Sequence, residues 1–280
     1  MKKTLIFVLA AIAAVVTACT GTKTDDKPVV TVTIEPLRYF TERIAGDRMH
    51  VVTMIPSGCS PETYEPTAQQ MVDLANSEMY IKVGSLGFEH TWMKRLRANA
   101  PHLIVIDSSE GIHPTLTANG GNDPHTWTSP ANAMRMARNI YRSLTMIDAK
   151  DSLYFRARLD SLCDMIAHTD ATIANRLMDL QHRSFVIYHP ALTYFAADYG
   201  LRQLAIEEEG REPSAQMLQG LIDKARKEDV RLIFVQREFA NRNTDIVSRG
   251  TGARVVEVNP LSYDWEKEML RITDELCKQQ

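Results

Sequence analysis

Cysteine is scarce, at four residues in 280, which excludes a small scaffold stapled by disulfides. Positive charge is not in excess: Lys and Arg total 32 against 35 Asp and Glu, for a net charge of −3. A chain without a basic footprint is not built to hold nucleic acid. Aromatic residues make up 7% and are scattered, so there is no base-stacking platform either. No HExxH, G-x-S-x-G or P-loop motif occurs, which removes the common sequence signatures of metalloproteases, serine hydrolases and nucleotide hydrolases. With 44% hydrophobic and 24% charged residues the chain reads as globular, and its length is enough for two domains with cores of their own.

One long apolar run is present, at the start. Met1-Lys2-Lys3 is basic, and Leu5 to Val16 is uninterrupted apolar sequence. At roughly a dozen residues this run is short for a bilayer span and fits a secretory signal. It ends in Val16-Thr17-Ala18-Cys19, which resembles a bacterial lipoprotein cleavage site with Cys19 as the lipidated new N-terminus. Residues 1–18 are therefore expected to be a signal peptide and 19–27, which include Gly21 to Lys27 (GTKTDDK), a flexible tether. The remaining cysteines, Cys59, Cys163 and Cys277, would permit one disulfide and leave one thiol over, with the pairing open.

The body alternates strand and helix. β-branched apolar runs occur at 29–34, 50–55, 79–83 and 103–107, and again at 184–188, 201–206, 231–235 and 253–258. Helical patterns lie between them, so the class is α/β, with two lobes that each carry a four-stranded, mainly parallel sheet flanked by helices. Ser129-Pro130 reads as an N-cap followed by proline at the first helical position, and Thr67 with Gln70 reads as a capping box. Residues 151–182 lack Gly and Pro. Leu153, Leu159, Leu162, Ile166, Ile173 and Leu177 recur there at helical spacing, which predicts a helix of about eight turns. The expected division is an N-terminal lobe over 28–147, a long helix joining the lobes within 148–182, and a C-terminal lobe over 183–280.

In open α/β sheets ligands bind beyond the C-terminal ends of strands. Glu62 and Glu65 follow the strand at 50–55, and His125 follows the strand at 103–107 in Asp123-Pro124-His125-Thr126-Trp127. His189-Pro190 follows 184–188, and Asn259-Pro260 follows 253–258. Two histidines, a carboxylate and a carboxamide, two from each lobe, make a donor set for a divalent ion. Asp123 is placed to orient His125, and Glu207-Glu208-Glu209 reads as a solvated acidic rim. Met134 and Met136 read as helix packing. His50, His90, His102, His168 and His182 have no partner pattern and read as structural.

The segments PSGCSPETYEPT, NDPHTWTSPANAMRMARNI, YHPALTYFAADYGL, EEEGREPSAQML and TGARVVEVNPL stand in the order and spacing of one family. Over residues 28–278 the chain resembles the zinc/manganese-binding lipoproteins of bacterial ABC importers. The resemblance implies two α/β lobes joined by a single long helix, with the metal at their interface. It also implies a metal site, with departures. The first family ligand is the histidine of P-H-x-Y-E-P, a position held here by Glu62. His125 and His189 match the second and third ligands, and histidine at the third leans toward the zinc branch. The fourth position, often Asp, is Asn259. The His-rich loop of many zinc members is reduced to His113.

The expectation is a lipid-anchored, monomeric receptor in the cell envelope. It would capture Zn2+, with Mn2+ as the second candidate, through Glu62, His125, His189 and Asn259, and pass it to a membrane permease. Two other classes compete. A two-histidine, one-carboxylate zinc with an open position also activates water in hydrolases, with Glu65 as the base. A binding protein with altered ligands could instead take a metal chelate or act as an adhesin.

Overall fold

The computed structural model describes residues 27–117, 120–207, 212–236, 239 and 242–278. The expected signal peptide, Cys19 and most of the tether lie outside these residues, as do Glu208 and Glu209. Among the described residues no helix is long and apolar enough to cross a membrane.

All eight expected strands form, each ending within two residues of its sequence pattern. The first sheet holds β1 (Val29–Val32), β2 (His50–Thr53), β3 (Met79–Lys82) and β4 (Ile104–Asp107) in the order β2-β1-β3-β4. The second holds β5 (Ser184–Ile187), β6 (Arg202–Ala205), β7 (Leu232–Gln236) and β8 (Arg254–Val258) in the order β6-β5-β7-β8. Every pairing is parallel, with Val30 opposite Val51 in the first sheet and Val186 opposite Ile233 in the second. Parallel pairs need crossovers, and helices supply them. In chain order the helices are α1 (Glu35–Ala45), α2 (Ala68–Leu74), α3 (Gly87–Asn99), α4 (Pro130–Ile147), α5 (Ser152–Leu177), α6 (Thr193–Asp198), α7 (Ala215–Lys227), α8 (Arg242–Thr251) and α9 (Trp265–Cys277), of which α4 and α5 join the two sheets and α9 follows the last strand.

Helix ends follow their sequence signals. The Ser129 hydroxyl accepts from the Asn132 amide at 3.1 Å as α4 begins, and Thr67 with Gln70 closes a reciprocal capping box on α2. The α5 helix runs for 26 residues, about seven turns, and stops at Leu177, short of the expected 182. Its end is set by the Arg183 guanidinium, which donates to the Leu177 and Met178 carbonyls at 3.0 and 3.2 Å. Phe155, Leu159, Leu162, Ile166, Thr169, Ile173 and Leu177 form its buried stripe, and they face α1, α4 and α9. Leu153, counted in the stripe from sequence, is 84% exposed; the first buried position is Phe155, two residues on.

The two sheets share a core. One continuous apolar cluster runs from Val30, Leu37 and Ile81 through α4, α5 and α9 to Phe185, Ile187, Leu232 and Phe234 on one face of the second sheet. The alternate residues Val186, Ile233 and Val235 point to the opposite face, where α7 and α8 close a smaller cluster.

Candidate metal centre

Both sheets reverse their strand order at the middle pair, β1/β3 and β5/β7, which opens a crevice at the C-terminal ends of those strands. In the second sheet the crevice is bridged at once. His189 stands two residues beyond β5 and Gln236 is the last residue of β7. The His189 amide donates to Gln236 Oε1 at 3.3 Å, and Gln236 Nε2 donates back to the His189 carbonyl at 2.8 Å.

His125 reaches the site on the long connection after β4. That connection is braced at several of its described residues. Asn139 on α4 donates to the Ser108 and Glu110 carbonyls, both at 2.9 Å. The Asp123 amide bonds the Thr115 carbonyl at 2.8 Å. Tyr194 of α6, in the second lobe, accepts from the Thr115 amide and donates to the Asp123 carbonyl, each at 3.0 Å. His125 is 7% exposed.

The two histidines meet. Their Nε2 atoms are 3.2 Å apart and their rings cross at 72°. Behind each ring sits a buried carboxylate: Asp123 Oδ1 is 2.9 Å from His125 Nδ1, and Glu207 Oε1 is 3.3 Å from His189 Nδ1. A carboxylate on Nδ1 favours the tautomer with its proton there and turns an Nε2 lone pair toward the partner ring. Two nitrogens about 2.05 Å from a tetrahedral zinc are separated by about 3.3 Å, close to the spacing found here. Burial alone would push the Asp123 carboxyl up. Its hydrogen bond to His125 and the attraction of that ring outweigh burial and hold it below the ordinary range.

The other two sequence candidates are placed differently. Glu62 is exposed on the β2–α2 connection but lines the same cavity as the histidines. Its loop is pinned to the start of α3 by the Phe88 amide, which donates to the Pro61 carbonyl at 3.0 Å. The Glu62 carboxylate lies over Gly87, where a Cβ would collide with it. Asn259 does not line the cavity. Its Oδ1 accepts from the Leu261 amide at 3.1 Å in a tight turn, and its own amide donates to Glu268 Oε1 at 2.7 Å. That turn presents Pro260 and Leu261 to the cavity instead. Among the described residues, no three His, Cys, Asp or Glu side chains converge closely enough to hold an ion.

Aromatic walls enclose the pair. Trp127 lies 5.3 Å from the His125 ring, and Phe239 stacks on His189 at 5.2 Å and 23°. The space beside the pair is about 30 Å³. That admits an ion with a water or so, since a single water needs about 10–15 Å³ on this measure.

Several features escaped the sequence reading. Glu207 is 3% exposed and sits behind a histidine, so it is no part of a solvated rim. Its signal was its place two residues past a strand end, masked by the acidic run that follows it. Gln236 and Phe239 carry no motif. Cys59, Cys163 and Cys277 are all free thiols, so no disulfide forms among the described residues. His102 bonds the Ser77 carbonyl and His182 the Asp229 carboxylate, both away from the site.

Residues 30–276 match the family model described as zinc-uptake complex component A, periplasmic. A putative metal-binding protein of Treponema pallidum (strain Nichols) is 27% identical over 266 residues, covering 88% of this chain and 82% of its own. The zinc-binding lipoprotein AdcA of Streptococcus pneumoniae (strain ATCC BAA-255 / R6) is 26% identical over 287 residues and covers 96% of this chain. The match takes in 57% of AdcA, so this chain spans little more than half the length of that relative. The crystal structure of ZnuA superposes with a TM-score of 0.87 at 34% identity, covering 90% of this chain and 99% of that one.

Proposed function

Because this chain belongs to the zinc-uptake complex component A family, we propose that it captures a divalent metal ion between its two lobes and delivers it to a membrane permease. Zinc is the favoured cargo and manganese the second. The observation that carries this reading is the pair of Nε2 atoms 3.2 Å apart, each ring backed by its own carboxylate. Imidazole nitrogen suits zinc better than manganese, and the general affinity order of divalent ions points the same way.

His125 and His189 are the first two ligands in this proposal. Glu62 supplies the third by leaving Gly87 and turning toward the cavity it already lines. A water fills the fourth position. Asn259 shapes the cavity through its turn and gives its side-chain oxygen to the Leu261 amide, so it is assigned no bond to the ion. Cys19 would carry a lipid that holds the monomeric receptor at the membrane.

The paired imidazole nitrogens support this reading over its competitors, because they offer an ion two donors at the spacing of a tetrahedral site. The test is a competitive titration with zinc and manganese on the parent, Glu62→Ala, His125→Ala and His189→Ala. One zinc bound below micromolar dissociation constant and weakened at least tenfold by each change is the expected result. Histidine variants that bind zinc like the parent would end the proposal. Loss on the histidine changes alone would remove Glu62 from the ligand set.

A further inference from the structure

We propose that Glu207 is a positioning residue that selects which atom of His189 faces the ion. This rests on the reading of His189 as a ligand. Apart from the Nε2–Nε2 approach to His125 itself, three contacts constrain that residue, and of these three only one can tell its ring atoms apart. The reciprocal bonds with Gln236 fix the main chain of His189. Phe239 stacks nearly parallel to the ring and fixes its plane. Neither contact distinguishes the ring from the same ring turned by half a rotation about its Cβ–Cγ bond. That turn would leave the plane unchanged, aim Cε1 at His125 in place of Nε2, and present no lone pair to a metal.

Glu207 breaks this degeneracy. Its Oε1 lies 3.3 Å from His189 Nδ1 and can accept only where a nitrogen carries hydrogen, so it chooses the rotamer and the tautomer together. The carboxylate is 3% exposed and held on rigid backbone. The Ile206 and Glu207 amides extend the ladder by bonding the Ile187 and Tyr188 carbonyls at 2.9 and 3.0 Å. Glu207, His189 and Gln236 thus come from the ends of three adjacent strands, β6, β5 and β7. A carboxylate this buried needs a donor, and the ring needs an acceptor at that nitrogen; each satisfies the other.

The test uses the full chain, free of metal and labelled with 15N, as parent, Glu207→Gln and Glu207→Leu. Long-range proton–nitrogen spectra report the His189 tautomer, and zinc competition reports affinity. Glutamine still offers an oxygen to Nδ1, so E207Q is expected to keep the parent tautomer and bind zinc within about threefold of it. E207L is expected to lose the Nδ1-protonated signature and to bind zinc 10- to 100-fold more weakly, the usual range for losing such a partner. A parent protein whose His189 carries its proton on Nε2 overturns the proposal, whatever the variants do. So does E207L with the parent's tautomer and affinity, or E207Q as weak as E207L with the tautomer intact. If the parent binds no zinc, the ligand reading fails, while a tautomer change in E207L still assigns Glu207 the orienting role.

Discussion

Trp127 and Trp265 are hydrogen-bonded across the lobe boundary. Trp265 Nε1 on α9 donates to the Trp127 carbonyl at 2.7 Å, and Trp127 Nε1 donates to the Pro260 carbonyl at 2.8 Å. Both indoles are 1% exposed, and Trp127 is the wall behind His125. The turn after β8 is thereby fixed to the segment that carries the first-lobe histidine.

Removing the Trp265 donor should be felt twice. Trp265→Phe keeps most of the ring but leaves the buried Trp127 carbonyl without that donor, a loss of about 1–3 kcal/mol. Denaturant unfolding should register that loss, and zinc competition a fall of a few-fold as Trp127 loosens behind His125. Unchanged stability in this variant would show that water replaces the indole.

Gly87 gives a way to test where Glu62 acts. A methyl group there would strike the Glu62 carboxylate, while the helix itself gains from alanine. If Glu62 must leave Gly87 to reach the ion, Gly87→Ala removes the competing resting place. Zinc affinity should then rise a few-fold with stability within about 1 kcal/mol of the parent. A tenfold loss of affinity would mean that Glu62 acts from its position over Gly87.

Ion binding should appear as thermal stability. Zinc held only by the folded protein adds RT ln(1 + [L]/Kd), about 2.7 kcal/mol at a hundredfold excess over Kd. Melting curves should shift upward for the parent and remain fixed for His189→Ala. Protons compete with the metal for the same imidazole lone pairs, so the shift should shrink on acidification. A shift that grows in acid would point to a carboxylate site elsewhere.

Glu89 governs a different pH dependence. Its carboxyl is buried at the start of α3 and accepts from Thr33 Oγ1 and from the Val83 and Gly84 amides, all at 2.7 Å. Burial pushes it above the ordinary carboxyl range despite those donors. The native state therefore keeps a proton that the unfolded chain loses from about pH 4 upward, and stability drains away as pH rises through that window. Glu89→Gln lacks the titrating group, so the stability of the parent relative to E89Q should fall across the same window. A relative stability that climbs with pH would show that the donors, and not burial, dominate.

The strands were legible because β-branched runs separated by helical patterns leave few alternatives, and the histidines because they follow strand ends. The caps at Thr67 and Ser129 were legible for the same local reason: their chemistry lies within three residues. What escaped depended on neighbours distant in sequence. Glu207 looks solvated beside two further glutamates, and only the pairing of β5 with β6 brings it behind His189. Gln236 has no local signature, because its partner is 47 residues away. Asn259 falls where a ligand is expected, yet its side chain closes a turn two residues long. Leu153 lies two residues before Phe155, about 200° around α5, and so faces away from the buried stripe.

The shared apolar core makes the two-sheet layout a matter of connectivity more than of energetics. One face of the second sheet is buried against the same cluster that fills the first, with α5 and α9 between them. Cutting the chain after α5 would leave Phe185, Ile187, Leu232 and Phe234 facing water on one fragment and the α5 stripe facing it on the other. Neither half is then a folding unit, and heat should melt both sheets in one calorimetric transition. The layer formed by α7 and α8, which among the described residues has its own small cluster, is where partial opening demands the least free energy, and Phe239 packs against it. Hydrogen exchange should therefore be fastest, among the helices of the second lobe, in the two that lie on the Phe239 side of the sheet.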